Sequence, residues 1–321
     1  MAAALLALAP GAARGDGLPV GNVDVGKEGV VVPSAPDRIV ALPAGRGQTL
    51  VARVQRDGGR VERVLRLRER LTVPAVALDG TADGRSADGE TVVLLRPRPA
   101  GEFPRARTRF VVLSVRPLRV ERRLTLRGDF SFDALSPDGR RMYLIEYDDA
   151  RDQSRYVVRS FDLRRGRLEP GAVVDPREPD ERMAGFPMTR ATTDDGRWAY
   201  TLYSAEEPFI HALDTVSRKA FCIDLPWLAE SEPTALRLRI GDGGLSVAHF
   251  GDVVANVDTE TMEPSDPKQA ASRVAVRSSR SSRSSEEPSS GPDWWLVGVL
   301  AAFGFVAIAG TRAVRRSRTA R

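Results

Sequence analysis

Between residues 29 and 262 apolar and polar positions alternate with period two, in short runs broken by Gly, Pro and Asp. Period two sends successive side chains to opposite faces of a strand, so each run predicts a half-buried β-strand. An Asp-Gly pair leads into the clearest runs. Asp138-Gly139 precedes Met142-Tyr143-Leu144-Ile145, Asp88-Gly89 precedes Thr91–Leu95, and Asp195-Gly196 precedes Trp198–Leu202. Glycine accepts the positive φ of a tight turn, which lets the flanking strands pair as a hairpin. A weaker copy is Asp242-Gly243-Gly244 before Leu245-Ser246-Val247.

The runs also repeat over long range. Arg60–Arg68 (RVERVLRLR) matches Arg119–Arg127 (RVERRLTLR), and Leu71, Val73 and Ala75 take the places of Phe130, Phe132 and Ala134. The repeat therefore joins the outer strand of one unit to the first strand of the next. The first unit takes Gly29–Val32, Arg38–Leu42, Leu50–Gln55 and Val61–Leu67, and the second Pro74–Ala77, Thr91–Arg96, Arg109–Val115 and Val120–Leu126. The third takes Phe130–Leu135, Arg141–Tyr147, Tyr156–Asp162 and Leu168–Val174, and the fourth Met188–Thr192, Trp198–Tyr203, Phe209–Asp214 and Ala220–Leu225. A fifth has Leu236–Ile240, Leu245–Phe250 and Val253–Asp258 without a good last strand. That place is offered to Pro19–Val25, which would close a ring and remove an open sheet edge.

The Ser136-Pro137-Asp138-Gly139 turn and its altered copies resemble the blades of the YVTN, TolB-like and WD40-like β-propeller superfamily. The resemblance implies an all-β fold, a β-propeller of about five four-stranded blades over residues 19–262, with units of the length such repeats have. A β-sandwich of several hairpins is the competing arrangement.

The two ends of the chain read differently. Trp294–Gly310 contains no charged residue and at about 1.5 Å per residue nearly spans a hydrocarbon core, which predicts a single C-terminal transmembrane helix. Trp294 and Trp295 stand at one edge and Arg312, Arg315, Arg316, Arg318 and Arg321 follow the other, so the positive-inside rule places the 311–321 tail in the cytoplasm. Ala2–Ala9 followed by Pro10-Gly11-Ala12-Ala13 resembles a secretory signal peptide over residues 1–13, although a basic n-region is missing. Together the ends predict a single-pass type I membrane protein with its body outside the cell. Residues 263–292, rich in Ser and Arg, read as a disordered stalk.

Composition narrows the function. The chain has 48 Lys+Arg against 43 Asp+Glu, and five of those arginines lie in the tail, so the body is close to neutral. A nucleic-acid partner is not expected of such a body. Lysine occurs only at Lys27, Lys219 and Lys268, an arginine bias that suits a G+C-rich genome of actinobacterial type. The single cysteine, Cys222, excludes an intrachain disulfide and a cysteine zinc site, and reads as a buried small hydrophobe. His211 and His249 sit in separate strand patterns and read as packing or surface residues.

No nucleophile elbow, zinc-protease, phosphate-loop or dinucleotide signature occurs in the body, so no catalytic residue, metal ligand or cofactor is assigned. Two loops are longer than a link between units requires. Pro97–Arg107, flanked by Arg96, holds Arg98, Arg105 and Arg107 near Phe103, a set suited to an acidic ligand such as a wall polymer; Asp175–Pro187 holds Arg177, Arg182 and Phe186. The ligand-binding candidates are thus Arg105, Arg107, Arg177, Arg182 and Phe186. The predicted inner strands offer Asp133 and Arg190 but no evident set.

The leading expectation is a membrane-tethered extracytoplasmic binding or scaffold module of the cell envelope, its partner an envelope protein or cell-wall polymer. A lactonase-like or glycan-acting hydrolase would instead require acids, histidines or a metal clustered on the inner strands. A subunit of an envelope membrane complex would pack the final helix through small residues such as Gly298 and Ala302.

Overall fold

The alternating runs become five antiparallel sheets laid down one after another. The structure is a computed structural model and describes residues 29–269 apart from 100, 101, 148, 150, 151, 153, 181, 182 and 242. The first sheet orders β1 (Val30–Val31), β2 (Asp37–Pro43), β3 (Thr49–Gln55) and β4 (Val61–Leu67). The second has β5 (Thr91–Leu95), β6 (Arg107–Val115) and β7 (Leu118–Arg127). The third has β8 (Asp129–Leu135), β9 (Arg141–Tyr147), β10 (Arg155–Asp162) and β11 (Arg167–Leu168), with β12 (Met183–Ala184) on the other end of β10. The fourth has β13 (Phe186–Thr192), β14 (Trp198–Ser204), β15 (Phe209–Asp214) and β16 (Lys219–Asp224). The fifth has β17 (Leu236–Gly241), β18 (Gly244–His249), β19 (Asp252–Val257) and β20 (Pro264–Ser265).

Consecutive sheets share their apolar faces. Leu71, Val92 and Leu113 join Ile39 and Val51 between the first and second sheets, and Phe110 and Leu124 join Phe130 and Leu144 between the second and third. Tyr143 and Val158 meet Ala199 and Leu213 between the third and fourth, and Tyr200 and Ile210 meet Leu238 and Val247 between the fourth and fifth. Burial also has a direction. β8 is buried throughout and β13 over Pro187–Arg190, so these first strands lie inside, whereas the last strands β4 and β7 are mostly exposed; β17 departs from this, with only Leu236 and Leu238 buried.

The Asp-Gly turns are built alike. Ser136 Oγ donates to Asp138 at 2.7 Å and accepts from the Arg141 N–H at 2.9 Å, while Asp138 accepts from the Arg140 N–H at 3.1 Å. Ser86 with Asp88, and Thr193 with Asp195, repeat the same three bonds. A hydroxyl two residues before the aspartate is the shared feature, and the Ser-Pro pair is one version of it. The turns also bind sheets together: Asp88 N–H donates to the Pro137 carbonyl at 3.0 Å, and Ser34 Oγ donates to the Ala87 carbonyl.

Three predicted strands change. Pro74–Ala77 is not a strand; residues 72–85 touch β5 through isolated bridges only, and the Leu78 and Asp79 N–H groups donate to the Pro187 and Met188 carbonyls of β13 at 2.8 and 3.1 Å. Pro74 lacks a donor and Gly80 and Gly84 carry φ of 90° and 119°, which turns the segment away from its own sheet. Leu168–Val174 shortens to β11, because Pro170 and Gly171 interrupt it, and β12 takes up the rest of the β10 edge. The fifth sheet receives its last strand from β20, where Asn256 pairs with Ser265, inside the segment read as stalk. Pro19–Val25, the signal segment and the run 294–310 lie outside the described residues.

Candidate functional site

The inner strands have two ends, and each carries its own chemistry. At the end where the Asp-Gly turns converge, a cavity of about 220 Å³ opens between Val30–Pro33, Thr81–Asp83, Ala134, Leu135, Arg190 and Thr192–Asp194. Its rim is set by close packing of the turns. Gly139 has φ of 63° and Gly196 of 70°, and a Cβ on them would lie 2.4 Å from Thr91 Oγ1 and 2.7 Å from Ala87 Cβ.

Below the cavity lies a buried polar centre. The Arg190 guanidinium on β13 pairs with the Asp133 carboxylate on β8, and a second nitrogen donates to the Asp133 carbonyl at 3.0 Å. Asp133 sits at a bulge where the β8–β9 register shifts between Phe132 and Ala134, which aims its side chain across to the neighbouring sheet. Asp83 approaches from the 72–85 segment. Burial raises its carboxyl to about 6, against the attraction of Arg190 and a 2.5 Å bond from the Gly84 N–H. His211 is buried beside the pair, and burial lowers it to about 4, so it is neutral at physiological pH. Asp133 Oδ2, Arg190 Nε, Thr201 Oγ1 and His211 Nε2 are buried without a hydrogen-bond partner among the described residues. Asp133 and Arg190 were visible in the sequence as isolated residues; His211 stands in one cross-strand row with Arg190 through Thr201, a register that alternation alone does not fix, and Asp83 reaches the pair only through packing of the 72–85 segment.

The opposite end is closed by aromatic side chains. Phe103, Tyr147, Tyr156, Tyr203 and Phe209 follow one another at centroid distances of 5.8, 6.1, 5.7 and 5.2 Å. Arg98 lies 5.2 Å over Phe103 and donates to Asp129 at 2.8 Å. Outside this plug, a cleft of about 250 Å³ is lined by Arg96, Pro97, Pro99, Glu102, Arg105, Ala106, Arg107 and Arg109. Arg96, Arg107 and Arg109 are exposed. The β6–β7 register adds Arg127 opposite Arg107. None of these four guanidinium groups has a carboxylate partner among the described residues.

The predicted ligand contacts divide. Arg107 lines the cleft, with Arg96 and Arg109 beside it. Arg105 also borders the cleft, with its side chain buried and engaged by the fold. It pairs with Asp129 at 2.9 Å and donates to Thr108 Oγ1 at 3.0 Å, to the Arg96 carbonyl at 3.2 Å and to the Phe130 carbonyl. Burial pulls it down to about 10 against the pull of Asp129. Arg177 is likewise engaged, with Asp175 at 2.6 Å and the Cys222 carbonyl at 3.0 Å, over the Phe221 ring. Phe186 is half-buried at the start of β13, paired with Ser204. Arg182 lies outside the described residues. Cys222 is half-buried, its Sγ 3.9 Å from Met183 Sδ, and not the buried hydrophobe expected.

No protein-family model matches the chain, and no curated protein matches it. Among solved structures it is similar to hydrazine synthase of Kuenenia stuttgartiensis, with 12% identity and a TM-score of 0.45 over 70% of this chain and 68% of that one. It is also similar to a candidate 6-phosphogluconolactonase of Bacteroides uniformis, with 15% identity and a TM-score of 0.42 over 75% and 69%. The Swd1 β-propeller domain of Myceliophteria thermophila gives 10% identity and a TM-score of 0.39 over 70% and 63%. Likeness at this level transfers no activity to the chain.

Proposed function

We propose that this protein is a five-bladed β-propeller of the cell envelope, tethered to the outer side of a membrane by residues 294–310, that binds an acidic polymer at the arginine cleft. The blade reading draws its support from five antiparallel sheets in chain order, each shared face to face with the next. The tether is supported by the uncharged run and the arginines after it. A single observation carries the ligand: Arg96, Arg107 and Arg109 line one cleft with no carboxylate partner among the described residues, against one acid, Glu102.

Like charges placed together without counter-charges repel, so their grouping favours an anion that spans them. A guanidinium also matches carboxylate and phosphate with paired donors, which a lysine cluster would not. The test is binding of the full-length protein in detergent to immobilised polygalacturonate and polyphosphate. The triple variant Arg96→Ser, Arg107→Ser, Arg109→Ser is expected to bind at least about tenfold more weakly, given roughly 0.5 kcal/mol or more per exposed contact. Equal retention of parent and variant would sink the reading.

A further inference from the structure

We infer that the space between β10, β12, β15 and β16 is a site for one soft metal ion, Cu(I), held by Cys222 Sγ, Met183 Sδ and the His211 imidazole. The inference stands independently of the arginine cleft.

Backbone register brings the first two donors together. Cys222 on β16 and His211 on β15 are direct cross-strand partners. The Cys222 N–H donates to Asp175 Oδ2 at 3.0 Å and its carbonyl accepts from Arg177 Nη2 at 3.0 Å, so both backbone groups point off the sheet edge and away from His211. The pair is therefore of the non-hydrogen-bonded kind, in which opposed Cα atoms are about 4.5 Å apart and the side chains approach closest on one face. The same two bonds hold the cysteine in place from the 175–187 loop.

Met183 comes from the neighbouring sheet. It lies on β12, paired with Tyr156 of β10, and its Sδ is 3.9 Å from Cys222 Sγ. Two sulfurs bound to one ion at a trigonal angle, each at a metal–thiolate length of about 2.3 Å, stand about 4 Å apart. The sulfurs are already at that separation. Cys222, Met183, His211 and Tyr156 line one space of about 10 Å³, room for a single atom and for no organic ligand.

His211 points to a ligand apart from the sulfurs. It is 2% exposed, and neither ring nitrogen has a hydrogen-bond partner among the described residues. Nε2 is fully enclosed and Nδ1 is not, so Nδ1 is the nitrogen that opens on the space His211 lines. An unpaired buried imidazole is destabilising, and an ion on it removes that penalty.

The donor set selects the ion. Thiolate and thioether are soft ligands, and no group of three His, Cys, Asp or Glu side chains among the described residues offers the harder set that Zn(II) takes. Asp175, the nearby carboxylate, is engaged by Arg177 and the Cys222 N–H. Binding breaks the Cys222 S–H bond, forms a Cu–S bond and releases the proton to solvent, with copper and sulfur unchanged in oxidation state.

Full-length protein in detergent, stripped of metal and kept free of oxygen, is titrated with Cu(I) in competition with the chromophoric chelator bicinchoninate, ascorbate keeping the copper reduced. One Cu(I) per chain should leave the chelator, and copper X-ray absorption should show two sulfurs and one nitrogen. Cys222→Ser should abolish uptake. Loss of an outer partner alone lowers metal affinity about 10–100-fold, so His211→Gln and Met183→Leu should each weaken binding at least about tenfold. Met183→Leu conserves volume on a half-buried strand, so it keeps the test valid if the buried His211→Gln variant does not fold. Cu(I) should raise the melting temperature of the parent, and Zn(II) should not. No uptake, uptake retained by Cys222→Ser, parent-like affinity in Met183→Leu, or equal stabilisation by Zn(II) would each overturn the proposal.

Discussion

Asp83 and His211 flank one buried ion pair and titrate in opposite senses. An unfolded Asp83 loses its proton near 3.8, whereas the folded residue keeps it to about 6, so its contribution to stability is present at low pH and is lost as pH rises through that window. Unfolded His211 takes a proton near 6.5 and the folded residue only near 4, so its contribution is present at neutral pH and is lost as pH falls. Each effect is on the order of 3 kcal/mol, and the two oppose each other across the same range. Melting curves from about pH 4 to 7 should show Asp83→Asn gaining on the parent as pH rises, and His211→Gln gaining on it as pH falls. Difference profiles that stay flat would refute the assignment. The arginines separate just as clearly. Arg105→Ala breaks a buried pair and should cost about 3–5 kcal/mol in denaturant unfolding, while exposed Arg107→Ala should stay within about 0.5 kcal/mol. The sequence presents these two arginines identically, two residues apart; only the Asp129 and Thr108 partners distinguish them.

Among the elements, strands were legible where the run lay between good turns. Phe209–Asp214, Arg141–Tyr147 and Val61–Leu67 form with the boundaries their alternation predicts. Local backbone chemistry suffices there, because pleat and turn are properties of neighbouring residues. Prediction failed where a segment's donors went to another sheet, as in the 72–85 stretch bonded to β13. The Asp-Gly turns belong to both categories. Hydrogen bonds from Ser136 and the Arg140 N–H, working against partial burial, hold Asp138 below the ordinary aspartate range, so it serves the turn. Its glycine neighbour has a second duty against Thr91 and Ser86. Gly58 is a control, with φ of 75° and open space where a Cβ would stand. Gly58→Ala should cost about 1 kcal/mol, from left-handed backbone alone, and Gly139→Ala distinctly more, about 2 kcal/mol or above. Equal losses in thermal unfolding would mean that the turn carries no packing between sheets.

At the scale of the whole molecule, the two ends of the inner strands carry opposite charge. Among the described residues, the cleft beside the aromatic plug has unpaired guanidinium groups, while the cavity at the turns has unpaired carboxylates. Polyanion binding at the cleft should therefore weaken steeply between about 50 and 200 mM salt, since exposed charges are screened over roughly 10 Å at 0.1 M, and the triple serine variant should lose most of that dependence. Retention unchanged by salt would point away from an electrostatic cleft. Sequence alone determined the strands, the repeat and the Asp-Gly turns, because side-chain alternation and turn dihedrals depend on residues a few positions apart. It also located the basic 96–109 stretch, since those arginines are near neighbours in the chain. Tertiary structure decided which arginines are spent on the fold, and it brought half-buried Asp83 against the buried Asp133, Arg190 and His211. Their protonation and pairing follow from burial and from charges contributed by two sheets and the 72–85 segment, and those distances come into being only when these pack together.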